Sequence, residues 1–221
     1  MAETVMRFQA DEGAYFRQRD FALNLAAFLA RQRRHGALLA LLEAGNALNG
    51  TTSDLLAALE DYPPLQYAAL LRDAHRLEEV APYLVNLEKP AWAAGGAPLT
   101  GFADWLFAQE DFARLGVFFV SSAPFLEVKN FWQRFSYARF QNNEQAYFRF
   151  YNPRFFNSLI KNLGKKEYLN ISSVAELIFY FDYFKPNLVH IYHFYAEGYR
   201  IEQYDLEKAN AAALIETLFS A

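Results

Sequence analysis

The chain has 221 residues, a net charge of −4 and 53% hydrophobic side chains, enough apolar material for one buried core without covalent staples. That content excludes a disordered chain, and the negative balance excludes a global basic field that would draw the protein to nucleic acid or anionic lipid. With no cysteine, a disulfide framework, a zinc–thiolate site and a cysteine nucleophile are excluded as well.

In chain order, Met1-Ala2-Glu3-Thr4-Val5-Met6-Arg7 offers no basic segment leading into an apolar one, so no secretory signal is read. Apolar runs break well short of the ~18–20 residues of a membrane span. The expected location is cytoplasmic, with no membrane span. Residues 14–34 read as an amphipathic helix, with Phe16, Phe21, Leu25, Phe28 and Leu29 at helical spacing and Arg17, Arg19, Arg31, Arg33 and Arg34 carrying charge. Gly36 stops it, and residues 1–36 are taken as an N-terminal helical arm on a domain spanning 37–221. Residues 37–43 predict a buried strand, 54–61 a helix capped by Thr52 or Ser53 and halted by Pro63-Pro64, 65–71 a buried segment and 81–87 a strand. The Gly/Ala/Pro-rich stretch 89–101 is a loop.

Further on, helices are expected over 102–112, from Ser122 to about residue 140, and over 153–163. Strands are expected over 116–121 and 145–151, a helix from near Ser172, and a hairpin of 188–195 with 199–204 turned at Ala196-Glu197-Gly198. A last helix covers 207–219. The fold class is therefore α/β: a mixed β-sheet flanked by helices, with an N-terminal amphipathic helix and a C-terminal hairpin plus helix. Aromatics make up 18% of the chain, and 29 of the 39 fall between Phe102 and Tyr204. A single sheet rarely hides so many, so an exposed contact patch is expected, with Tyr192, Tyr195 and Tyr199 as its candidates. The alternative is tyrosines lying along half-buried strands with their hydroxyls in water.

Candidates for chemistry mostly fail on inspection. The segment from Gly45 to Thr52 has the glycine spacing of a phosphate loop, but Thr51 stands where the lysine should reach the phosphates, so it reads as a turn. His190 and His193 fall on opposite faces of a strand, and His35 and His75 lie far away, so no metal site is read. Ser121-Ser122 lacks a nucleophile elbow. The acidic pairs Glu60-Asp61, Glu78-Glu79 and Glu110-Asp111 read as solvated surface charge. No catalytic residue and no cofactor is expected.

One run stands apart: Phe148-Arg149-Phe150-Tyr151-Asn152-Pro153-Arg154. Alternation would put Phe148 and Phe150 on one sheet face and Arg149 and Tyr151 on the other. Asn152 is a good helix N-cap and Pro153 suits the first helical position. Arg149 beside a covered sheet needs an acceptor, with Asp182 or Glu176 as candidates. Arg154 in the first helical turn opposes the helix dipole and calls for a specific partner. On its own chemistry the run is mainly structural.

This heptapeptide resembles the Phe-Arg-Phe-Tyr-Asp-Pro-Arg element of the type VI secretion adaptor family, with Asn152 in place of the aspartate. Ala81-Pro82-Tyr83-Leu84-Val85 is similar to another segment of that family, as are Tyr67-Ala68-Ala69-Leu70-Leu71, residues 116–122 and residues 38–42, in order. The resemblance implies a non-catalytic, chaperone-like adaptor that binds a secreted effector protein and helps load it onto the spike tip protein. The family's usual helical C-terminal lobe has no counterpart in the tyrosine-rich hairpin and single helix read here. The competing expectation is an immunity or regulatory protein that binds a toxin with the same fold.

Overall fold

In the computed structural model the described residues are 12–32, 36–43, 52–62, 65–71, 81–88, 99–109, 111–139, 143–195 and 197–219. The segments read as a phosphate-loop-like turn up to Thr51, most of the 89–101 loop, Pro63-Pro64, the basic pair Arg33-Arg34, His35, His75, Glu78-Glu79, Glu110 and the first eleven residues lie outside them.

Seven helices and nine strands are described. The helices are α1 (Glu12–Gln32), α2 (Thr52–Asp61), α3 (Gly101–Phe107), α4 (Phe125–Gln133), α5 (Pro153–Lys161), α6 (Lys165–Ser172) and α7 (Ala211–Leu218). The strands are β1 (Ala37–Glu43), β2 (Tyr67–Ala69), β3 (Pro82–Asn86), β4 (Gly116–Ser121), β5 (Tyr137–Arg139), β6 (Gln145–Tyr147), β7 (Leu177–Phe181), β8 (Leu188–Tyr195) and β9 (Gly198–Asp205). Seven strands form one sheet in the order β2-β3-β1-β4-β7-β8-β9, and β5 and β6 form a separate ribbon. The α/β architecture is the one expected. Its strand directions differ from the expectation of a mixed sheet, because every pairing is antiparallel.

Period-two alternation explains the three layers. Leu38, Ala40 and Leu42 of β1, Phe118 and Val120 of β4, and Phe179 and Phe181 of β7 share one face, covered by α1, α2, α3 and α7. Leu39 and Leu41, Val117 and Phe119, and Ile178 and Tyr180 point the other way, beneath α4, α5 and α6. Strands buried on both faces read as continuous apolar runs, which is why β1 and β4 were legible. Gly36 leads into β1 where any side chain would strike the backbone of Ser121, so the close approach there requires glycine.

Several boundaries move. The helix expected from near Ser172 instead ends there, and Leu177–Phe181 is strand β7, a short aromatic and branched run whose periodicity does not separate helix from strand. The helix after Ser122 closes at Gln133 and is followed by β5, and the helix of residues 102–112 stops at Phe107 before a 3-10 turn. The last helix starts at Ala211 rather than residue 207, because Asn210 supplies its cap by accepting from the Ala213 amide at 3.1 Å.

Helix α1 docks on the sheet. Phe21 meets Phe179 and Phe181 edge-on, with ring centroids 5.5 and 6.1 Å away, while Gln18 donates to the Pro186 carbonyl at 2.6 Å. Phe16, read as part of the apolar stripe, points to solvent instead. Truncation of the fully buried Phe21 to alanine is expected to cost about 3–5 kcal/mol, measured by denaturant titration of the whole chain.

Candidate functional site

The heptapeptide makes a corner between the β5–β6 ribbon and α5. Only Gln145–Tyr147 is strand, so the run itself is a turn and the alternation expected through Tyr151 does not operate. Phe150 and Tyr151 are therefore both buried, Phe150 stacked on Trp132 with centroids 5.6 Å apart. Asn152 caps α5, its side-chain oxygen accepting from the Arg154 amide at 3.0 Å, and Pro153 takes the first helical position.

The corner is organised by a residue that sequence reasoning missed. Glu43 ends β1 on the same face as Leu39 and Leu41, which carries its carboxylate beneath the α4–α5 layer. Arg149 pairs with it there, correcting the expectation of Asp182 or Glu176. Both of those are engaged elsewhere: Glu176 accepts from the Gly36 amide at 3.2 Å, and Asp182 binds His190 at 2.9 Å. The Asn152 amide nitrogen also donates to Glu43, at 3.3 Å. Burial pushes the Glu43 carboxyl above its ordinary value, and Arg149 and Asn152 pull it part of the way back. Tyr147 and Tyr151 share a hydroxyl hydrogen bond close by, and burial raises both phenols. The signal available in the sequence was a lone glutamate ending an otherwise apolar strand.

Arg154 points out of the corner. Its guanidinium lies over the rings of Tyr183, Phe184 and Phe155, 4.9, 5.6 and 6.0 Å from their centroids. These rings are the specific partner that its position against the helix dipole called for. Phe184 is 65% exposed and Phe155 48%, so the cluster is an open cationic–aromatic surface, extended by Arg114, 5.2 Å from the Tyr183 ring. The candidates for the patch expected from composition, Tyr192, Tyr195 and Tyr199, lie in the hairpin. Tyr192, expected at the surface, is instead fully buried, its hydroxyl donating to Asn157 at 2.9 Å. It lies in the interior of the sheet beneath α5 and α6. Tyr199 is half-buried between Tyr168, Tyr192 and Phe194, and Tyr195 is exposed at the hairpin end.

His190 and His193 do point to opposite faces. His190 stacks on Tyr180 and lies between Asp182 and Gln203, the latter 3.1 Å away. Burial raises the Asp182 carboxyl, but the His190 bond and the Phe184 and Lys185 amides outweigh it and hold it below the ordinary carboxylate value. Among the described residues no three His, Asp or Glu side chains gather at metal-binding distance. A cavity of about 400 Å³ lies away from the corner, lined by Arg17, Asp20, Asn24, Leu206 and Asn210 among others, and it holds a single carboxylate rather than an acid–base pair. Among the described residues no helix is long and apolar enough to cross a membrane.

The fold and its corner thus define an α/β domain built around a buried carboxylate paired with a partly exposed guanidinium. The chain belongs to a family described as a domain of unknown function, DUF4123, whose model matches residues 40–168, more than half of its length. No curated protein and no solved structure matches it.

Removal of the Arg149 side chain would leave Glu43 buried without its cation. Arg149→Ala is expected to lower stability by about 2–4 kcal/mol at neutral pH, with the deficit shrinking as pH falls and Glu43 takes up a proton. Adding Glu43→Gln should recover part of the loss in thermal melts. The lowered Asp182 contributes stability that is complete above an ordinary carboxylate value of about 4 and lost as pH falls through its folded value. Asp182→Asn should flatten that acid limb in a plot of Tm against pH.

Proposed function

We propose that this protein is a non-catalytic adaptor that holds a type VI secretion effector and helps load it onto the spike tip protein. The observation that carries the reading is the family match over residues 40–168, which contains the heptapeptide and nearly all of the segments that resemble the secretion adaptors. The surface chemistry supports it. Arg154, Phe155 and Phe184 combine exposed rings with a guanidinium, residue types enriched at protein interfaces. The cluster is held by side chains of α5 and the turn after β7, so the heptapeptide serves the surface indirectly, by fixing the start of α5. Glu43, Arg149 and Asn152 are spent on each other and leave the corner with a structural task.

Capture of the tagged chain from its native host tests the reading. An effector and a spike tip protein should be recovered together, and recovery of a toxin alone would favour the immunity alternative. The double variant Phe155→Ala, Phe184→Ala should reduce capture by about tenfold or more, as expected for loss of interface anchors. Its stability should stay within about 1 kcal/mol of the parent, because both side chains are largely solvated.

A further inference from the structure

We infer that β9 is a self-complementary edge through which two copies of this chain pair into one continuous antiparallel sheet. Among the described residues β9 ends the seven-stranded sheet, and β8 is the strand that pairs with it. It runs eight residues in unbroken register with β8, from Tyr195↔Gly198 to Leu188↔Asp205. Natural edges are usually blunted by proline, charged side chains or a bulge; Gly198–Asp205 has no proline, lysine or bulge, and its central charges, Arg200 and Glu202, are of opposite sign.

Backbone geometry fixes which groups are free. The Leu206 amide donates to the Asn187 carbonyl at 2.7 Å, continuing the ladder and showing that even-numbered positions bond toward β8. In an antiparallel ladder the bonds alternate, so Tyr199, Ile201 and Gln203 turn their N–H and C=O groups outward. A partner strand must set its own outward residues opposite these. For a second copy related by a two-fold axis, that leaves registers centred on Arg200, Ile201 or Glu202 among the central ones.

Charge selects between them. Centring on Arg200 opposes two guanidiniums, and centring on Glu202 opposes two carboxylates, both unfavourable directly across a ladder. Centring on Ile201 sets Arg200 opposite the second copy's Glu202 twice, Tyr199 opposite Gln203 twice, and Ile201 opposite itself. Within one chain Arg200 and Glu202 already pair at 2.9 Å on the same sheet face, so both are positioned to exchange partners across the edge. Ile201 is exposed on the other face, where Tyr199 meets Tyr168 of α6. At the ends this register brings Asp205 opposite Glu197, and Lys208, 3.1 Å from Asp205, offsets that charge. The contact is small, so the dimer should be reversible and concentration-dependent. It lies beyond the family match of residues 40–168 and does not rest on the adaptor reading.

The test is sedimentation of the full chain with two single variants, Arg200→Glu and Glu202→Arg, whose folding is verified by thermal melts. The parent should show a monomer–dimer equilibrium, and each variant alone should weaken it by about tenfold or more. Mixed in equal amounts, the two variants should form a heterodimer, because each then meets opposite charge at both positions across the edge. A single-chain effect of the charges would give no such recovery on mixing. A parent that stays monomeric up to about 100 µM, variants that dimerise like the parent, or a mixture that fails to associate would each overturn the proposal.

Discussion

A carboxylate placed inside an apolar layer constrains everything around it. Glu43 lies there because strand alternation sets it on the same face as Leu39 and Leu41, and its side chain is buried. An ionised group in such a place needs both a counter-charge and hydrogen bonds. Arg149 and Asn152 supply them, and both come from one short turn, so the chain between β6 and α5 has little freedom in how it passes. The rest of the corner follows from that geometry. Phe150 is pressed onto Trp132, Tyr151 is buried beside Tyr147, and α5 starts where Asn152 and Pro153 dictate.

From the same constraint comes the division between inside and outside. With Arg149 turned toward Glu43, the next arginine in the run, Arg154, lies past the turn in the first turn of α5 and faces outward. It finds aromatic faces rather than a carboxylate, and those faces belong to the turn between β7 and β8 as well as to α5. That turn is itself tied down, since Asp182 accepts the Phe184 and Lys185 amides at 2.8 and 2.9 Å and binds His190. An exposed aromatic surface is thereby mounted on two rigid supports, which limits the ordering cost of using it for binding.

Much of the architecture was legible in the sequence. The doubly buried strands β1 and β4 are apolar up to their last residues, the β8–β9 hairpin carries its turn residues, and the cap at Asn152-Pro153 is local chemistry. What escaped depends on distant pairing. The run Leu177–Phe181 is a strand because β4 and β8 hold it from both sides, and nothing within its five residues says so. Glu43 and Arg149 are 106 positions apart, so the partner of the arginine was visible only once β1 and the turn before α5 were brought together. Tyr192 misled for the same reason: composition counts rings, while the helices laid over the sheet decide which of them meet water.

Asn152 performs two tasks that no other side chain of its size combines, its oxygen capping α5 and its nitrogen donating to Glu43. An aspartate there could keep the cap but would set a second carboxylate against the first. Asparagine is also a residue that ages into aspartate, commonly when the following backbone nitrogen attacks its side-chain amide. The following nitrogen here belongs to Pro153, which carries no hydrogen and cannot close that ring. The proline that starts the helix thus also closes that route of deamidation at the corner.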